Sequence, residues 1–204
     1  VLGGQEVLVC APTASGKTEA VCAPILEGLL GRDPWTILYV SPTRALVNDL
    51  YERLVAPCSN LGVSVVRRTG DHPSAPDSAP NLLITTPESF DSLLCRARRS
   101  NSGHLLANVR AVVLDEIHLL HGTPRGEQVR WLLERLRRLR GFAHEQSWSK
   151  TKDVRVVGLS ATVDDPTAVV SAYLPGGRLI AVGGGRTIER PIRLVPGELT
   201  LIGP

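Results

Sequence analysis

A three-layer α/β domain on a mostly parallel sheet is the fold this 204-residue sequence predicts, and three observations carry it. Seven short runs, Glu6–Cys10, Trp35–Val40, Val63–Thr69, Asn81–Thr85, Val109–Leu114, Val154–Ser160 and Arg178–Val182, are apolar almost throughout. Strands that are apolar on both sides belong in a sheet covered on both faces. Stretches of helical spacing separate them, at Lys17–Leu30, Arg44–Leu54, Pro87–Arg98, Gly126–Arg140 and Pro166–Leu174. Strand–helix alternation from end to end is the pattern of crossover connections between parallel strands. Finally, 43% hydrophobic and 21% charged residues supply a core and exclude a disordered chain.

The elements follow one another with few surprises. Gly126–Arg140 shows the helical period most clearly: Val129, Leu132, Leu133, Leu136 and Leu139 form one stripe. Arg130, Glu134, Arg135, Arg137 and Arg138 take the opposite side, with Glu134 and Arg138 spaced as an i,i+4 pair. That side reads as a solvated outer face. Gly70–Pro80, with three prolines beside Gly, Asp and Ser, is an exposed turn. Phe142–Asp153 is polar but for its aromatics and reads as an irregular insertion. From Gly183 the pattern decays into Gly, Pro and Arg, so 1–182 is the domain and 183–204 a linker.

Composition narrows the class. Net charge is +3 and lysine occurs only at Lys17, Lys150 and Lys152, every other base being arginine. This permits a nucleic-acid partner without demanding one. Cys10, Cys22, Cys58 and Cys95 include no C-x-x-C pair, which argues against a zinc site or a disulfide framework. No apolar run reaches the roughly 18 residues that span a bilayer, and no signal peptide opens the chain. The expectation is a cytoplasmic, monomeric domain cut from a longer polypeptide.

Two motifs carry chemistry. Ala11-Pro12-Thr13-Ala14-Ser15-Gly16-Lys17-Thr18 lies between a strand and a helix. Backbone N–H groups of such a loop cradle phosphate, Lys17 reaches the β- and γ-phosphates, and the Thr18 hydroxyl ligates Mg²⁺. Pro12 to Thr18 are therefore the candidate ATP-binding residues. Ala111-Val112-Val113-Leu114-Asp115-Glu116 is a buried strand ending in two carboxylates, at the sheet edge where parallel sheets bind ligands. Asp115 is suited to hold the Mg²⁺, and Glu116 to orient and deprotonate the water that attacks the γ-phosphate.

Asp115-Glu116-Ile117-His118 resembles the DExH box of superfamily 2 helicases. The phosphate loop resembles their A-x-x-G-x-G-K-T form, with Ala14 replacing the middle glycine, harmless so long as φ there stays negative. Ser41-Pro42-Thr43-Arg44-Ala45-Leu46, Thr69-Gly70-Asp71, Thr85-Thr86-Pro87-Glu88 and Ser160-Ala161-Thr162 resemble further motifs in that family's order. Asp115–Leu120, Arg125-Gly126 and Gly158–Val163 are most similar to the large helicase-related, Lhr-type proteins.

The resemblance implies the first RecA-like, ATP-binding domain of a motor that moves 3′ to 5′ on single-stranded DNA or RNA. It implies that Thr43, Arg44, Gly70, Thr86 and Pro87 line a path for the strand's backbone. It makes Asp115, Glu116 and Lys17 the catalytic set, and His118, Ser160 and Thr162 the coupling between nucleotide and strand. It also implies a second RecA-like domain of the same parent chain, supplying arginines to the nucleotide. Without that domain, weak hydrolysis is expected. Ser41-Pro42-Thr43 and Thr86-Pro87-Glu88 equally suit plain helix caps. A strand-binding module with little hydrolysis, and a P-loop ATPase acting on something other than nucleic acid, remain as alternatives.

Overall fold

The computed structural model describes residues 5–32, 34–73, 79–97, 102–161 and 163–182. Seven strands, β1 (Val7–Cys10), β2 (Thr36–Val40), β3 (Val65–Arg68), β4 (Leu82–Thr85), β5 (Val109–Leu114), β6 (Arg155–Ser160) and β7 (Arg178–Ala181), form one sheet. Every pairing is parallel and the order is β3-β4-β2-β5-β6-β1-β7.

Alternate side chains of the inner strands serve two separate cores. Leu38 and Val40 point to one face, with Leu8, Leu83, Val112 and Leu114. There they pack under α3 (Pro87–Arg96), α4 (Ser102–Ala107), α5 (Pro124–Glu145) and α6 (Pro166–Tyr173). Ile37 and Tyr39 point the other way, with Val7, Val9, Ile84 and Val113, against α1 (Lys17–Leu29) and α2 (Arg44–Asn60). Both sets are essentially sealed from solvent, and each fully buried aliphatic side chain contributes roughly 1.5–3 kcal/mol. The strand at the edge departs from this pattern. β7 is exposed along its length despite its apolar residues.

The helices differ from expectation where burial is invisible in the pattern. α2 runs on from Leu54 through Pro57 to Asn60, because Cys58 of its last turn is buried in the second core. α4 has no counterpart in the sequence reading. α5 does not stop at Arg140: Arg140 is wholly buried and Ala143 nearly so, and they continue the stripe of Val129, Leu132, Leu133 and Leu136 for another turn. The expected irregular segment Phe142–Asp153 is thus partly helix. Its remainder is tied down by the Arg140 guanidinium, which donates to the carbonyls of Ala107 and Thr151 and to Ser149 Oγ at 2.7 Å.

Three arginines on the outer face of α5, Arg130, Arg135 and Arg137, are paired with carboxylates. Arg130 pairs with Glu127 and Arg135 with Asp91, both at 2.8 Å. Glu134 takes Arg137 at 2.8 Å, three residues on, rather than Arg138, and Arg137 also reaches Glu6 at 3.1 Å. Cys10, Cys22 and Cys58 are buried thiols and Cys95 is exposed; all four are free. Among the described residues no helix is long and apolar enough to cross a membrane. Residues 74–78 of the expected turn and the expected linker 183–204 lie outside the described residues.

Candidate functional site

All six loops and turns that carry the motifs leave the C-terminal edge of the sheet, because every strand points the same way. The loop after β1 turns at Ala14 and Gly16, with φ of 57° and 78°. The condition that made Ala14 harmless therefore fails: its backbone is left-handed, at a cost of about 1–2 kcal/mol for a residue with a Cβ. Gly16 caps α1 with no side-chain hydrogen bond, so the first N–H groups of that helix stay open to an anion.

Lys17 is folded inward. It is 9% exposed, and its ammonium donates to the carbonyls of Ala11 at 2.8 Å and Pro12 at 2.9 Å. Two of its three donors thus pin the loop, and the third is left for a ligand. Ala14, Ser15, Gly16, Lys17 and Thr18 wall a cavity of about 140 Å³ together with Asp115 and Glu116. Pro12 reaches it only through Lys17, and Thr13 is exposed beside it. Asp49 and Arg53 of α2 complete the wall, with Arg53 bridging to Glu19 at 2.5 Å and Asp49 at 3.6 Å. Neither matched a motif. The i,i+4 spacing of Asp49 and Arg53 was their only trace in the sequence.

The two carboxylates are held differently. Asp115 extends β5, its N–H bonded to the Val40 carbonyl at 2.8 Å, and its Oδ1 accepts from the Glu116 N–H at 3.0 Å. Burial, then the charge of Glu116, pushes its carboxyl up to about 6. A half-buried pair of like charges is a site that a divalent cation relieves. Ser41 Oγ approaches Asp115 Oδ2 at 3.5 Å, and the buried Tyr39 hydroxyl faces Asp115 and Thr18 without closing a hydrogen bond to either. The residues present thus suit an Mg²⁺ held by Thr18, Asp115 and phosphate oxygens.

Glu116 has a left-handed backbone, φ 43°, and its Oε2 is buried with no hydrogen-bond donor. His118 Nδ1 is 3.3 Å away but already accepts from the Ala161 N–H at 3.2 Å, and lies 3.4 Å from Ser160 Oγ. An accepting Nδ1 puts the ring proton on Nε2, so His118 offers Glu116 no donor. The Ser160 carbonyl in turn accepts from the Ala11 N–H at 3.2 Å, closing a path from the phosphate loop through β6 to His118. Thr162 lies outside the described residues.

A second, wider groove of about 590 Å³ opens over the ends of β2, β3 and β4. Thr43, Arg44, Gly70 and Thr86 line it. Pro87 does not; it is buried as the first residue of α3. Thr43 and Thr86 are helix caps, accepting from the N–H groups of Leu46 at 3.3 Å and Ser89 at 3.4 Å. Arg44 crosses Gly70 to pair with Asp71 at 2.9 Å, and a Cβ at residue 70 would lie 2.9 Å from its guanidinium. Arg125 pairs with Glu88 at 2.7 Å and donates to the Pro42 carbonyl at 2.8 Å, joining α5 to this wall. Arg68 and Arg96 also line the groove and carried no motif.

An all-parallel sheet with a phosphate loop after β1 and paired carboxylates after β5 is the architecture of a RecA-like, ATP-binding domain. The family model for DEAD/DEAH box helicases matches residues 1–169, and the chain belongs to that family. It is 35% identical, over 85% of its length, to the ATP-dependent helicase Lhr-Core of Sulfolobus acidocaldarius. It is 30% identical, over 98%, to the U5 small nuclear ribonucleoprotein 200 kDa helicase of Homo sapiens. Among solved structures, helicase Lhr of Mycobacterium smegmatis bound to ssDNA and AMP-PNP superposes with a TM-score of 0.69 at 32% identity, covering 88% of this chain. The helicase MrfA gives 0.72 at 26% identity and 88% coverage. The chain spans 21%, 9%, 24% and 28% of those four proteins respectively.

Proposed function

We propose that this chain is the first motor domain of an ATP-driven helicase or translocase, binding Mg²⁺-ATP in the smaller cavity and the backbone of a single strand in the groove. One observation carries the reading. The loop after β2 touches both sites: Ser41 faces the Asp115 carboxylate, while Pro42, Thr43 and Arg44 form the groove wall. A change at the nucleotide therefore has a direct mechanical route to the strand. The homologous helicase Lhr, solved with ssDNA and AMP-PNP, supports both ligands.

In this reading the open N–H groups of residues 14–18 and the remaining donor of Lys17 hold the β- and γ-phosphates. When bound, Mg²⁺ screens charge on the terminal phosphates. Glu116, whose Oε2 has no donor of its own, accepts a proton from the attacking water. His118 and Ser160 carry the state of that site into β6. Thr43, Arg44, Gly70 and Thr86 hold the strand by its backbone, without reading its sequence. A second RecA-like domain in the parent protein supplies the arginines that complete the transition state, and travel is 3′ to 5′. This domain by itself then hydrolyses ATP slowly.

Comparison of the full-length protein with its Glu116→Gln variant tests the chemistry. Retained binding of Mg²⁺-ATP with turnover reduced at least about a hundredfold is expected, within the range for loss of a general base. Equal turnover in the two would remove Glu116 from the reaction. Absence of ATP binding by either would leave the chain a strand-binding module at most.

A further inference from the structure

Arg68 ends β3, opposite Thr85 of β4, and its carbonyl accepts from Thr85 Oγ1 at 2.8 Å. It is 3% exposed, yet it lies on the wall of the groove, one residue from Thr69 and across from Thr86. Its Nη1 is buried with no hydrogen-bond partner, and among the described residues no carboxylate pairs with it. Burial and the like charge of Arg96 both lower its hold on its proton. A guanidinium shut away from water without a counter-charge is costly to the fold.

The other arginines of this groove are placed differently. Arg44, Arg96 and Arg125 are exposed, and Arg44 and Arg125 already carry Asp71 and Glu88. Such surface pairs are weak and exchange readily. Among the described residues Arg68 has no carboxylate to exchange. Arg68 lines a cavity that opens beside the capped start of α3, where an anion is also favoured by the helix terminus, and its unpartnered Nη1 lies just beneath that surface.

We propose that Arg68 is a phosphate-binding residue of the groove, whose missing acceptor is a phosphodiester oxygen of the bound strand. The inference rests on the groove being the strand path. It adds a fixed, sequence-independent anchor, buried and pre-oriented, beneath the exchangeable pairs of Arg44 and Arg125. The strand thereby supplies the counter-charge that the fold withholds, and occupancy by a phosphate at this one point sets the strand's register against Thr86.

The test uses the full-length protein and a labelled oligothymidylate, with affinity measured over a salt series. Arg68→Gln is expected to weaken binding about tenfold. It should flatten the slope of log affinity against log salt by about 0.7, the contribution of one phosphate on a single strand. Arg68→Lys should keep most of that slope. In the absence of the strand, thermal melting of Arg68→Gln should be no lower than that of the parent, since an unpaired charge has been removed. A lowered melting temperature with an unchanged slope would make Arg68 structural and overturn the proposal. Ser92→Glu, which places a carboxylate on the groove wall, is the control for the path itself. If it blocks binding while Arg68→Gln changes neither affinity nor slope, the anchor is wrong and the path stands. If neither variant alters binding, the strand lies elsewhere and both readings fall.

Discussion

The Ala161 N–H donates to His118 Nδ1 across 3.2 Å, fastening the end of β6 to the turn that carries Glu116. Since that bond consumes the only lone pair of Nδ1, the ring faces Glu116 Oε2 as an acceptor beside an acceptor, 3.3 Å apart. The pair is held together by the backbone and not by mutual attraction. In the proposed reading, a shift of residues 160–161 moves His118 and, through the turn it shares with Glu116, the carboxylate proposed to activate water. His118→Ala is expected to leave ATP hydrolysis without a strand within a few-fold of the parent and to abolish its stimulation by a strand. Steady-state hydrolysis with and without single strands checks it; full stimulation in the variant would place the coupling elsewhere.

Asp115 gives the pH dependence. Its carboxyl is raised from 3.8 to about 6, so the fold disfavours the ionised form. Stability without metal should rise as pH falls from about 6 toward 4, and the penalty is fully present above 6. Asp115→Asn removes a penalty on the order of 3 kcal/mol, from roughly 1.4 kcal/mol per pK unit. The variant should melt higher than the parent at pH 8, and the two should converge near pH 4. Saturating Mg²⁺-ATP should reverse the order at pH 8, since only the parent can bind the cation there. Equal melting at both pH values would contradict the burial of this charge.

Gly126 lies in the first turn of α5, where no side chain fits. A Cβ there would meet the Leu120 carbonyl and stand 2.5 Å from the Tyr173 hydroxyl. Gly126→Ala is expected to cost about 2–4 kcal/mol, as overpacking against backbone does, read by denaturant unfolding. A loss under about 0.5 kcal/mol would show that α5 can shift to make room.

Ala14 is a residue the loop would fold better without. With φ at 57°, Ala14→Gly should stabilise the domain by about 0.5–1 kcal/mol, the relief of left-handed strain less the entropy glycine adds to the unfolded chain. Calorimetry without ligand checks it, and a fall in stability would mean that the loop is not held in this turn.

What the sequence made legible follows burial symmetry. The inner strands were readable because residues such as Leu38 and Tyr39 are buried on opposite faces, leaving an unbroken apolar run, and β7 was readable from its apolar residues although it is exposed. Lys17, Thr18, Asp115 and Glu116, which the fold brings to one cavity, were readable because a strand–loop–helix pattern and an apolar run ending in two carboxylates fix their places in the chain. Arg140 was not. A guanidinium whose two Nη groups are buried on carbonyls of Ala107 and Thr151 looks, in sequence, like any solvated arginine that ends a helix. Arg68 escaped for the same reason. Tertiary structure alone buries it, and Val65–Arg68 has the composition of an ordinary edge strand. The left-handed Ala14 was illegible because alanine gives no hint of positive φ.

The most direct measurement is ATP hydrolysis by the full-length protein with no strand, with single-stranded DNA and with single-stranded RNA. Stimulation of severalfold or more by one of the two, lost in Glu116→Gln, is the predicted result, and it names the track on which the motor runs. A rate indifferent to both strands would contradict the claim that nucleotide cavity and groove work as one machine.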